Sequence, residues 1–131
     1  MIGLDTNILV RLLVRDDEDQ HHRTVALLGR GTGEGETFFV GDVVLAEMVW
    51  VLQARYRLPR PEIVGALRAL LEAEHVVFES TDRCLRALGR FEAGRGGFAD
   101  YLIAERASDA GGASLATFDQ ALLSEGGTVE P

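Results

Sequence analysis

Four acids in this 131-residue chain stand where an apolar side chain would be expected: Asp5, Glu47, Asp100 and Asp119. Asp5, with Thr6 and Asn7, interrupts the apolar opening run "MIGLDTNILVRLL". On a helix, Glu47 shares its face with Val43, Val44, Trp50 and Val51, neighbours three and four residues away that are all apolar. Asp100 is followed at helical spacing by Ile103, Ala104 and Ala107, and Asp119 ends the apolar stretch "LATF". Each acid has an ordinary alternative. Asp5 and Asp119 suit helix N-caps, Asp100 suits the first turn of a helix, and Glu47 would need a salt-bridge partner. Arg55, two turns along, offers little help to Glu47.

Together the four acids point to different chemistry. Carboxylates gathered at one crevice raise one another's pKa unless a counter-charge is supplied. A hard divalent cation, Mg2+ or Mn2+, supplies it and takes carboxylate, water and phosphate oxygens. A softer metal is not indicated, because Cys84 is the sole cysteine and the adjacent His21 and His22 cannot face one way on a helix.

These acids have to be held by elements that bring distant parts of the chain together. "MIGL", "TFFVG", "HVVFE" and "ASLATFD" read as strands, and "GTVEP" as an edge strand. Between them, "NILVRLLV", "DDEDQHHRTVALLGRG", "DVVLAEMVWVLQARY", "EIVGALRALLEA", "STDRCLRALGRFEAG", "FADYLIAERASDAGG" and "QALLSE" read as helices, with "GTGEGE" and "RGG" as loops. Asp42 is the expected N-cap of the third helix. Alternating strands and helices predict one α/β domain over residues 1–131, a mostly parallel sheet of four to five strands covered on both faces. Ligands of such sheets bind outside the carboxyl ends of the strands, where Asp5 and Asp119 fall.

Hydrophobic residues make up 47 % and charged residues 26 % of the chain, ordinary for a soluble globular protein. The net charge of -8 argues against indiscriminate binding of nucleic acid through a basic surface. It leaves a nucleic-acid substrate open, since a metal-loaded carboxylate site attracts phosphate. All thirteen basic residues are arginine, whose planar fork suits phosphate. No apolar run reaches the roughly 18 residues of a membrane span, the N-terminus lacks the basic start of a signal peptide, and a single cysteine fits the reducing cytoplasm.

"GLDTNIL", "LAEMVWVL", "FADYLIAERA" and "LATFDQAL", in that order, resemble the PIN domain and, within it, the VapC-type toxins of bacterial toxin–antitoxin pairs. The resemblance implies a PIN-like α/β/α sandwich and an endoribonuclease using one or two Mg2+ or Mn2+ ions. Carried onto this chain, Asp5 and Asp100 become direct metal ligands. Glu47 binds metal or positions the attacking water, and Asp119 acts directly or through water. Thr6, Asn7 and Thr117 fall where the family orients carboxylates or waters. Arg11 and Arg15, four apart on the expected first helix, are candidate phosphate contacts, with Arg86, Arg90 and Arg95 as further ones. The implied partners are an RNA substrate, a small VapB-type antitoxin and a second copy of the chain. A housekeeping PIN nuclease of RNA maturation or repair, and a non-catalytic binding module, are the competing readings; small size favours the toxin.

Overall fold

The apolar opening run forms β1 (Ile2–Gly3), and the polar interruption after it starts α1 (Thr6–Leu13). Asp5 is the N-cap of α1, and its Oδ1 accepts the Thr6 N–H at 2.7 Å. Leu9 and Val10 turn the buried face of α1 inward. The helix stops at Leu13 because Val14 takes an extended conformation. Arg15 therefore lies beyond α1 and does not share a helical face with Arg11. Asp17 then caps α2 (Glu18–Gly33) through the Gln20 N–H, with Glu18 and Asp19 favoured by the dipole of its first turn.

The expected helix ends at Gly31, but α2 continues through Thr32 and Gly33, so the first half of the stretch "GTGEGE" expected to be a loop is helical. Tertiary packing explains this. Gly31 is buried against the ring of Phe38, and a Cβ there would collide with it. Phe38 belongs to β2 (Phe38–Val40), followed by α3 (Asp42–Ala54), α4 (Arg60–Glu72) and β3 (Val76–Phe78). Pro59 and Pro61 break the chain between α3 and α4 and sit at the start of α4, where the missing N–H has no intrahelical partner to lose.

The computed structural model describes residues 1–112 and 114–131, and these fall into two compact units, Met1–Glu79 and Ser80–Pro131. In the first, β1, β2 and β3 form a parallel sheet in that order, with Ile2 beside Phe38 and Phe38 beside Val76. The core of this unit includes Phe38, Val40, Leu45, Met48, Leu52 and Ile63, all essentially buried. Burying a side chain such as Phe38 stabilises the unit by about 1.5–3 kcal/mol. The parallel register brings Asp5, Asp42 and Glu79 out at the same carboxyl edge of the sheet.

The second unit is built on α5 (Thr81–Ala93) and α6 (Phe98–Asp109). Cys84, Ala87, Leu88 and Phe91 recur at helical spacing as the buried stripe of α5. Phe91 meets Phe98 edge to face, with ring centroids 5.9 Å apart. β4 (Leu115–Ala116), α7 (Gln120–Glu125) and β5 (Thr128–Val129) complete the unit, and β4 pairs with β5 in parallel. The expected fourth strand began at Ala113, which lies outside the described residues. The α/β class with parallel strands is as expected, but the strands form a three-stranded sheet and a separate pair. Two-residue strands carry too few backbone groups for a longer ladder.

Among the described residues, no helix is long and apolar enough to cross a membrane. The packing of Gly31 yields a test. Gly31→Ala should destabilise the protein by about 1–3 kcal/mol through overpacking against a buried ring. Trimming that ring in Gly31→Ala/Phe38→Leu should make the two losses less than additive in denaturant melts.

Candidate functional site

Asp5 and Asp119 both meet their ordinary reading as helix N-caps, and in both cases one oxygen is left over. Asp119 caps α7, with Oδ1 accepting the Leu122 N–H at 2.9 Å. Among the described residues, Oδ2 of each has no hydrogen-bond partner within its own unit. Thr117 Oγ1 accepts the Asp119 N–H at 3.0 Å, which fixes the backbone that carries this carboxylate. Thr6 is buried and holds Asp5 through its backbone N–H. Asn7 is exposed and lines a groove of about 540 Å³ between α1 and α2.

Asp100 is in the first turn of α6 and half-buried. Burial pushes its carboxyl above the usual carboxylate range, and the charge of Asp119 adds to that; the Gly97 N–H opposes the shift. The second unit therefore brings two of the four candidate acids within electrostatic reach of one another. Three of its arginines serve other acids. Arg83 and Arg86 pair with Asp109, and Arg86 and Arg90 with Glu105. Among the described residues, no arginine of this unit pairs with Asp100 or Asp119. Arg95 is exposed.

Glu47 differs from expectation. The buried stripe of α3 is Asp42, Leu45, Met48, Val49 and Leu52. Val43 is 77 % and Trp50 66 % exposed, and Glu47 lies with them on the solvent side. The apolar neighbours chosen for Glu47 do not desolvate it. Asp42 is also not the N-cap of α3. Gly41 is, and Asp42 is the first helical residue and buried. Its N–H is satisfied from elsewhere, by Glu79 Oε1 at 2.9 Å, so an acid at the end of β3 fixes the start of α3. Sequence spacing gave no sign of Glu79, which is thirty-seven residues from its partner.

Arg11 is engaged within the first unit. Its Nε donates to Gln20 Oε1 at 2.6 Å and its Nη1 to Asp16 Oδ1 at 2.9 Å and Tyr56 Oη at 3.2 Å. The Tyr56 hydroxyl, then Arg11, holds the Asp16 carboxyl below its usual range. Arg11 thus ties α1 and α2 to the chain after α3, and its donors are already directed at those partners. Arg15 makes an exposed pair with Glu18 that costs little to break. His22 is exposed as expected, whereas His21 is half-buried with Nδ1 2.8 Å from the Arg11 carbonyl.

Among the described residues, no group of three or more His, Cys, Asp or Glu side chains is gathered to hold a metal ion. The donor chemistry of the second unit still suits one. Mg2+ is usually bound through one or two carboxylates, the rest of its shell being water and phosphate. Asp100 and Asp119 supply two hard, mutually repelling carboxylates, the charge arrangement a divalent cation relieves.

The direction of the Asp100 shift fixes a stability prediction. A carboxyl whose pKa is raised by folding binds its proton more tightly folded than unfolded, so its ionisation destabilises the fold. That cost is absent below the ordinary carboxylate range and develops as pH rises through it to the raised value. In a metal chelator, Asp100→Asn should raise Tm by roughly 1–4 °C at neutral pH. The gain should disappear near about pH 3, where the Asp100 carboxyl is protonated in both the folded and the unfolded state. Thermal melts at the two pH values measure it, and an Asp100→Asn protein that melts lower at neutral pH would contradict it.

No curated protein matches the chain. The PIN domain family model matches residues 2–125, taking in all four acids and both units. With nearly the whole length matched, the chain belongs to the PIN domain family, whose members are generally metal-dependent nucleases.

Proposed function

We propose that this PIN domain is an Mg2+- or Mn2+-dependent endoribonuclease, the toxin of a VapBC-type pair, restrained by a small VapB-type antitoxin and acting as a homodimer in the cytoplasm. The observation that carries the nuclease reading is the Asp100–Asp119 pair, two carboxylates that repel and with which, among the described residues, no arginine of their unit pairs. The order of the motifs around Asp5, Glu47, Asp100 and Asp119 supports the VapC-type assignment. The family match runs from residue 2 to 125, which supports residues 1–131 acting as one functional domain.

Asp5 and Asp100 are the proposed direct ligands of one or two ions. Asp5 Oδ1 is held by the Thr6 N–H, which leaves Oδ2 for a cation. Asp119 is restrained by Leu122 and by the Thr117 hydroxyl, and can act directly or through water. Glu47, exposed on α3, is the proposed further ligand or the residue that positions the attacking water. Asn7, also exposed, remains a candidate for orienting water. The metal, when bound, supplies a Lewis acid for an RNA phosphodiester and acidifies water for attack on it. Of Arg11 and Arg15, Arg15 is the freer to meet phosphate, since Arg11 is held by Asp16, Gln20 and Tyr56.

A non-catalytic binding module is the alternative favoured by one observation, the lack of three gathered metal-binding side chains among the described residues. One experiment separates the two. RNA cleavage by the purified protein should require Mg2+ or Mn2+, stop in chelator, and fall about 100-fold or more in Asp5→Asn. Mg2+ should raise the Tm of the wild type progressively with concentration. Equal cleavage by wild type and Asp5→Asn in chelator, or none under any condition, would overturn the nuclease reading.

A further inference from the structure

Tyr101 is fully buried in α6 although it carries a hydroxyl. A buried hydroxyl without partners is costly, and this one has two. It accepts the Gly96 N–H at 2.9 Å and donates to Glu125 Oε1 at 2.8 Å. The Arg90 guanidinium lies 4.8 Å from the centre of the tyrosine ring, and its Nη2 is 3.7 Å from Glu125 Oε2. The glycines of "GRGG" make room for the arrangement. A Cβ on Gly96 would lie 2.8 Å from Tyr101 Cζ, and one on Gly94 would strike the hydroxyl and the Glu125 carboxylate.

The two hydrogen bonds lead to the two acids of the candidate site. Gly97, next to Gly96, is the N-cap of α6, and the Asp100 carboxylate lies against it: a Cβ on Gly97 would be 3.0 Å from Asp100 Oδ2. Glu125 is the last residue of α7, the helix that Asp119 caps at its other end. One hydroxyl therefore joins the loop that holds Asp100 to the helix that begins at Asp119. α7 has six residues, a short rod of about 9 Å at the helical rise, so anchoring its end restrains its start.

We infer that Tyr101 is a positioning residue, setting the separation of the Asp100 and Asp119 carboxylates and through it the affinity of the pair for a hard divalent cation. The inference rests on the metal-centre reading above and concerns how that centre is held. Tyr101 acts through Gly96 and Glu125, not by contact with the ion.

Mn2+ binding to the full chain, followed by electron paramagnetic resonance of the free ion, tests this. Tyr101→Phe keeps the ring and its contact with Arg90 and removes the hydroxyl. It should weaken Mn2+ binding about tenfold, the scale of losing a group that orients a ligand. Glu125→Ala should do the same, while Glu125→Gln, which keeps an acceptor oxygen, should restore binding. A core variant of the other unit, Leu67→Ala, should lose Tm but bind Mn2+ as the wild type does. If Asp100→Asn weakens binding while Tyr101→Phe and Glu125→Ala do not, the positioning role is overturned and the metal centre stands. If wild-type binding is absent or indifferent to Asp100→Asn, both fall. Should Tyr101→Phe fail to fold, the Glu125→Ala and Glu125→Gln pair decides the question alone.

Discussion

Burial and the charge of Asp119 make Asp100 harder to ionise, and among the described residues no arginine of their unit pairs with either acid. Carboxylates that must be charged to bind a cation are at their least stable when the cation is missing. Much of the surrounding structure can be understood as holding this unfavourable pair in place. The Gly97 backbone lies against one acid, the Leu122 N–H and the Thr117 hydroxyl restrain the other, and the Tyr101 hydroxyl links their supports. The arginines of the unit are directed instead to Asp109, Glu105 and Glu125. Those pairs brace α5 against α6 and α7 without cancelling the charge a cation would need.

Asp5 follows the same economy in the first unit. Its Oδ1 caps α1, and a capping bond of this kind is worth about 0.5–2 kcal/mol. The cap therefore serves the fold and also orients the carboxylate. A residue can satisfy its ordinary structural reading and still present an oxygen to a ligand. For Asp5 and Asp119 the choice between cap and ligand, posed by the sequence alone, is not a true alternative.

Helix and strand identity was legible because local signals agreed with packing: aromatic and β-branched runs in β2 and β3, the helical stripe of α5, and prolines at the start of α4. The exposure of Glu47 was not legible. α3 is apolar on nearly every side, so periodicity cannot choose its buried face, and Val43 and Trp50 go to solvent. The helical course of "GTG" was hidden because it depends on Gly31 meeting Phe38, a tertiary contact that local composition does not carry. The start of α3 depends likewise on Glu79, and the network around Tyr101 on residues from Arg90 to Glu125. The acids themselves stood out in the sequence; their supports appeared only with the fold.

Direct titration of the Asp100 carboxyl by carbon-13 NMR, with and without Mg2+, addresses the central claim at its source. The account predicts titration above the usual carboxylate range in chelator, a fall toward that range in Asp119→Asn, and a fall on adding Mg2+ to the wild type. An Asp100 that titrates as an ordinary carboxylate and ignores both Mg2+ and the Asp119 substitution would contradict it.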